Sequence, residues 1–213
     1  MLAAMMPDSD LTAHVAGDLE RRGFAVAQDF LAAAEVAALA DECRELHAAA
    51  LLQPAAVGRG GARRNEAAIR GDSTRWFDAF ALTPPQAQYW SRMDDLRRAL
   101  NRTLLLGLHD LEAHYALYPN GTRYARHRDR FRDDDARVLS SVLYLNAGWT
   151  QGDGGALRIH LGDGAAAKQV DVVPHGGTLV LFLSAEFEHE VLPATRERLS
   201  IAGWFRRNTS QSP

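Results

Sequence analysis

Near residue 111 the hydrophobic pattern of the chain changes from helical three-to-four spacing to short alternating segments, and this break limits the folds open to it. Short runs rich in β-branched and aromatic residues follow, at about 112–118, 123–128, 137–146, 155–160, 169–173, 178–183, 188–192 and 198–206. Turn-forming clusters separate them, among them Pro119-Asn-Gly, Gly152-Asp-Gly-Gly, Gly162-Asp-Gly and Pro174-His-Gly-Gly. About eight strands behind a helical block predict a mainly β protein with N-terminal helices. Its core would be a double-stranded β-helix (jelly roll) flanked by packed α-helices. Neither a repeat nor a linker interrupts the chain. Residues 1–213 are therefore read as one domain, with helical support over 10–106 and the jelly-roll core over about 111–206.

The upstream helices are legible from their stripes. Residues 10–22 carry Leu11, Val15 and Leu19 at spacing four, and the run from Phe24 to Val26 after Gly23 reads as a strand. A helix at about 33–52 lines up Val36, Leu39, Cys43, Leu46 and Ala50 on one buried face, which makes Cys43 a core thiol. Thr83-Pro84-Pro85-Gln86 opens a third helix with a threonine cap and prolines in the first turn; it carries Tyr89, Met93, Leu96, Leu100 and Leu104 and ends near 106. Between Pro54 and Arg64 the sequence turns glycine- and arginine-rich, as in a solvated connector or a lid over a site.

Composition excludes several classes of function. A net charge of −3 gives no global attraction to nucleic acid or to an anionic membrane surface. No apolar run approaches the ~20 residues needed to span a bilayer. Residues 1–10 lack the charged and apolar regions of an export signal, and the single Cys43 suits a reducing compartment, so a cytoplasmic location is expected.

The chemistry-bearing residues lie in the β half. His127 and Asp129 form an H-x-D pair that strand alternation would turn toward one face. An imidazole and a carboxylate, joined by a second imidazole, make the facial triad that holds non-haem Fe(II). With 8 histidines in 213 residues such a pair arises readily by chance, so its company decides. His189 opens a later strand, and in the last strand alternation puts Arg198, Ser200, Ala202 and Trp204 on one side, with Leu199, Ile201 and Phe205 on the other. An arginine turned into a barrel must be paired, and its fork suits a carboxylate; a dicarboxylate such as 2-oxoglutarate meets that need. His-Arg-Asp in the setting of a kinase loop is unsupported, because no nucleotide-binding glycine loop accompanies it.

Taken in order, Arg21-Arg-Gly-Phe, Ile69-Arg-Gly-Asp, Met93-Asp-Asp-Leu, Tyr118-Pro-Asn-Gly-Thr, Arg126-His-Arg-Asp, Tyr144-Leu-Asn, Gly154-Gly-Ala-Leu-Arg-Ile, His189-Glu-Val and Arg198 to Trp204 resemble a known family over nearly the whole chain. The resemblance is to the prolyl hydroxylase domain of 2-oxoglutarate- and Fe(II)-dependent oxygenases, of the hypoxia-inducible-factor type and its bacterial relatives. It implies His127, Asp129 and His189 as iron ligands. It implies Arg198 as partner of the distal carboxylate of 2-oxoglutarate, with Tyr144 and Tyr118 beside it. Val142, Leu157, Val191 and Trp204 correspond to apolar walls, Arg137 to a substrate contact at the mouth, and Arg70 with Asp72 to the loop that closes on the polypeptide. The cofactors implied are Fe(II), 2-oxoglutarate and O2, with ascorbate as reductant.

The activity implied is hydroxylation at C4 of a prolyl residue in a protein, with release of succinate and CO2. Bacterial members suggest elongation factor Tu as the protein partner. Two departures stand out: Ala202 replaces a hydroxyl residue common in the animal enzymes, and the turn between Tyr118 and His127 is one residue shorter. Two other readings are an oxygenase of the same chemistry acting on a free amino acid or small molecule, and a noncatalytic binding module. The intact set His127, Asp129, His189 and Arg198 argues against the binding module, and an arginine-rich lid favours a polypeptide substrate.

Overall fold

In the computed structural model, residues 9–55, 66, 68–129, 136–162 and 168–208 are described. Three helices, α1 (Ser9–Arg22), α2 (Ala33–Ala48) and α3 (Pro84–Leu104), accompany eleven strands among these residues. The strands are β1 (Phe24–Ala27), β2 (Gln53–Pro54), β3 (Ser73–Trp76), β4 (Asp110–Tyr118), β5 (Tyr124–His127), β6 (Arg137–Tyr144), β7 (Leu157–Leu161), β8 (Lys168–Val172), β9 (Leu179–Leu183), β10 (His189–Val191) and β11 (Arg198–Arg206). They form two antiparallel sheets. The larger runs β1-β9-β6-β11-β4-β3-β2, and the smaller runs β5-β10-β7-β8. All eight strands expected downstream of residue 111 are present, and the run after Gly23 is the edge strand β1.

Alternation along the large sheet divides the core in two. Leu139, Leu143, Leu179, Leu181, Leu199, Ile201 and Phe205 face the helices, where they pack with Val15, Leu39, Met93 and Leu100. Phe24, Ala116, Tyr144, Val180 and Phe182 face the other way and meet Leu157, Ile159 and Val191 of the small sheet. The site described below lies in this second layer.

The helices brace the large sheet from behind. The Thr83 hydroxyl accepts from the Gln86 amide at 3.4 Å, and Pro84 and Pro85 fill the first turn of α3, as its sequence predicts. The Asn101 side chain closes the far end, donating to the Leu108 carbonyl and accepting from the Leu108 amide. Helix α2 is shorter than its apolar spacing predicts. It stops at Ala48 because Ala50 adopts φ +56, and the Leu51 amide returns to the Leu46 carbonyl. Ala50 is therefore exposed rather than part of the buried stripe. Cys43 is fully buried, and burial pushes its thiol up to about 12, so it is a packing residue. The glycine- and arginine-rich stretch read as a lid falls outside the described residues from 56 to 65.

One carboxylate ties the helices to the sheet. Glu42 on α2 accepts from the Thr83 hydroxyl at 2.6 Å, from the Gln86 side-chain amide, and from the Tyr115 hydroxyl on β4 at 3.1 Å. Glu42→Ala strips the acceptor from donors on buried Gln86 and Tyr115 and half-buried Thr83, and should lower unfolding free energy by ~2–3 kcal/mol in denaturant titrations. A change within about 0.5 kcal/mol would mean that this clasp is incidental.

Candidate active site

The backbone register of the small sheet brings the two distant histidines face to face. Strands β5 and β10 pair so that His127 lies opposite His189, and their rings approach to 4.2 Å between centroids. Strand β5 ends at His127, so Asp129 does not share a face with it through strand alternation, contrary to the expectation from sequence. A bend just past the strand carries the Asp129 carboxylate round instead, to 3.5 Å from His127 Nε2 and 3.6 Å from His189 Nε2. One ligand atom from each of the three residues lies within 4.8 Å of the other two, a group that can hold a metal ion.

Each member is held by residues that the sequence reading did not single out. His127 Nδ1 donates to the Ala125 carbonyl at 2.8 Å, which leaves Nε2 as the free lone pair. The Tyr124 ring stacks on the His127 imidazole at 3.7 Å. His189 Nδ1 lies 3.4 Å from the Phe187 carbonyl and directs its own Nε2 inward in the same way. Burial lowers the His189 pKa to about 4, so the ring is neutral and ready to ligate. Asp129 accepts from the Ser140 hydroxyl at 2.7 Å, and Ser140 in turn contacts Ser184 at 2.8 Å. Burial alone would raise the Asp129 pKa, but His189, His127 and Ser140 together hold it well below the usual carboxylate range. An anionic carboxylate beside two imidazole lone pairs is the donor set of a borderline divalent transition-metal cation.

A cavity of about 650 Å³ runs from these three residues to Arg198. Arg198 is 1% exposed, and no carboxylate pairs with it among the described residues. Its Nε donates to the Gly155 carbonyl at 2.8 Å and its Nη1 to the Ser200 hydroxyl at 3.3 Å, while Nη2 has no partner. The guanidinium lies between the rings of Tyr118 and Tyr144, 5.2 and 5.1 Å from their centroids. The Tyr144 hydroxyl is also buried without a partner; burial raises its pKa to about 12 and that of Tyr118 well above the usual value, so both remain neutral donors. A buried cation beside an unmatched donor is a site missing an anion.

Two devices aim Arg198. The Asn146 side chain accepts from the Leu199 amide at 2.7 Å and donates to the Leu199 and Pro174 carbonyls, which fixes the first residues of β11. Gly155 adopts φ +68, and a Cβ there would meet the Arg198 Cδ at 3.2 Å and the Ala194 Cβ at 3.0 Å.

The remaining residues expected at the site fall around the same cavity. Val142, Leu157, Val191 and Trp204 line it, with Arg137 and Arg70 also on its wall. Tyr144 sits behind the lining, and Asp72 is buried beneath Arg70 in a bidentate pair at 2.8 and 3.0 Å. Arg70 lies over the Tyr124 ring at 4.7 Å, so this ion pair reaches His127 through an aromatic stack. Arg137 covers the Trp204 ring at 3.7 Å and pairs with Glu112 at 2.7 Å. His160 lies within β7 and is paired with Glu190 at 3.1 Å. His114 and Trp76 also line the cavity.

Comparison with known proteins agrees with this geometry. Residues 113–206 match the family model described as the 2OG-Fe(II) oxygenase superfamily. A crystal structure of a Pseudomonas putida prolyl-4-hydroxylase is 49% identical, with a TM-score of 0.82 over 92% of this chain and 99% of that one. A prolyl hydroxylase from Trichoplax adhaerens, solved with a hypoxia-inducible-factor peptide fragment, is 25% identical, with a TM-score of 0.80 over 92% and 89%. Human Egl nine homolog 1 is 31% identical over 88% of this chain and 44% of its own length. The chain spans about half the length, or less, of the curated relatives it matches.

Asp129→Ala should abolish Mn(II) binding in calorimetry while leaving the circular dichroism spectrum unchanged. Ser140→Ala, which only frees the carboxylate to turn, should weaken the metal roughly 10- to 100-fold. Full metal affinity in Asp129→Ala would place the cation elsewhere.

Proposed function

Since this chain belongs to the 2OG-Fe(II) oxygenase superfamily, we propose that it hydroxylates C4 of a prolyl residue in a protein, at the expense of 2-oxoglutarate and O2. The observation that carries the reading is a single cavity with a His127–Asp129–His189 cluster at one end and the buried, anion-free Arg198 at the other. A metal alone would not require Arg198, and an anion alone would not require the triad. A short dicarboxylate that chelates the metal and reaches the guanidinium uses both.

Bound in this arrangement, Fe(II) supplies the oxygen-activating chemistry, in which the 2-oxo acid leaves as succinate and CO2 and one oxygen atom enters the substrate C–H bond. His127, Asp129 and His189 would hold the metal, and three protein ligands would leave part of its coordination open to small ligands. Arg198 binds the distal carboxylate through its unpartnered Nη2, with the Tyr144 hydroxyl as a further donor and Tyr118 packed against the guanidinium. Val142, Leu157, Val191 and Trp204 exclude water around the cosubstrate, which strengthens every polar contact there. Arg137 at the mouth, and Arg70 held by Asp72, are the residues assigned to substrate contact. Ascorbate is the expected reductant and the cytoplasm the expected location.

The protein-substrate reading draws on the 49% identical prolyl-4-hydroxylase and on the peptide bound by the Trichoplax relative. Elongation factor Tu is the substrate that likeness to bacterial members of the family suggests. Incubation of bacterial proteins with this protein, Fe(II) and 2-oxoglutarate should add one oxygen atom to a specific proline, read by tandem mass spectrometry. Succinate production with no oxidised proline in any protein would transfer the activity to a small molecule.

A further inference from the structure

The site assigned above uses one end of the cavity for metal and one for the cosubstrate carboxylate, yet a third histidine borders the same space. His114 on β4 is 1% exposed and lies in no metal-binding group among the described residues. Its Nδ1 stands 3.0 Å from the Tyr115 carbonyl, which puts the proton on Nδ1 and the lone pair on Nε2, at the ring edge farthest from the backbone. No protein donor meets that lone pair among the described residues. Burial, reinforced by Arg70 and Arg137, lowers the His114 pKa to about 4, so the imidazole is a neutral acceptor.

Sheet register shows which part of the cavity the ring serves. Trp76, His114, Ala202 and Val142 form one row across β3, β4, β11 and β6. Rows on one face of a sheet repeat about every 7 Å. One neighbouring row holds Ala116 and Ser200, next to Arg198; the other holds Trp204 and Ser140, and Ser140 grips Asp129. His114 thus stands between the two ends of the reaction chamber, on the side that opens toward Trp76. Trp76 is 47% exposed at the rim and meets the imidazole edge-on at 4.7 Å, while Trp204 packs at 5.6 Å. The rings fix the imidazole in orientation, and the methyl of Ala202 leaves room in front of it. An acceptor held still in an otherwise aromatic wall costs stability in the empty protein and is compensated when a donor arrives.

Which donor follows from the substrate. A prolyl residue has no N–H, so any main-chain donor must come from a residue beside it. We propose that His114 is a specificity-determining residue: its Nε2 accepts a hydrogen bond from the main-chain N–H of a residue flanking the target proline, whose side chain then packs on Trp76. This rests on the prolyl hydroxylase reading and adds to it a contact that fixes the register of the polypeptide.

The test uses the full chain with Fe(II), 2-oxoglutarate and a panel of capped proline-centred peptides, each made also with one flanking amide replaced by an ester. For a peptide that the wild type hydroxylates, His114→Phe should raise peptide KM about five- to tenfold, the loss expected of one neutral hydrogen bond. Values of kcat, the KM for 2-oxoglutarate and peptide-free succinate formation should stay as in the wild type. His114→Gln, which keeps an acceptor, should recover most of the loss. One ester peptide should be penalised by the wild type but not by His114→Phe. A wild-type peptide KM in His114→Phe overturns the proposal and leaves the prolyl hydroxylase reading intact. Succinate formation without hydroxylation of any peptide removes both together.

Discussion

A positive charge sealed inside a protein without a counter-charge is the constraint on which the rest of this molecule turns. A guanidinium carries its charge throughout the physiological range; that of Arg198 is buried between two sheets, and its neighbours among the described residues offer a carbonyl, a hydroxyl and two aromatic faces but no anion. Such a group is expensive to maintain, so its surroundings must be built to keep it in place. The Asn146 side chain pins the start of β11, Gly155 admits the aliphatic stem, and the helices behind the large sheet hold β11 and its neighbours β4 and β6 in register. The arrangement makes sense when a carboxylate completes it.

The other end of the cavity answers the same logic with opposite sign. Asp129 is a buried carboxylate that accepts from the Ser140 hydroxyl and faces two imidazole nitrogens, and it too lacks a full charge partner until a cation binds. A dicarboxylate and a divalent metal, bound together, neutralise both ends at once. Between the ends Val142, Leu157 and Val191 make part of the wall apolar, and Trp76, His114 and Arg137 line the same cavity.

Much of this was legible from local patterns. The alternation of β11 put Arg198, Ser200 and Trp204 on the cavity side and Leu199, Ile201 and Phe205 on the core side, because a strand's period of two leaves no other choice. The cap of α3 was equally local. Asp129 shows the limit: it arrives at the cluster by a bend past the end of β5, which no alternation rule describes. The opposition of His127 and His189 is set by register between strands far apart in sequence, and only the resemblance to a family anticipated that they meet. Helix α2 ended early because a backbone cap at Ala50 overrode a stripe that still looked helical. Ser140 and His114 are not assigned to the site by sequence, because a buried serine or histidine on a strand carries no local mark of its partners; both depend on which strand lies beside them.

The central claim is that one cavity binds a metal and a dicarboxylate cooperatively, with Arg198 holding the far carboxylate. The most direct measurement is anaerobic calorimetry of 2-oxoglutarate binding to the protein with and without Mn(II), repeated on Arg198→Met. One equivalent should bind in the presence of Mn(II) and far more weakly without it. Arg198→Met should lose at least ~10-fold in affinity, the scale of one charge-assisted hydrogen bond, while still binding Mn(II) as the wild type does. Undiminished 2-oxoglutarate affinity in Arg198→Met, or binding indifferent to the metal, would contradict the account.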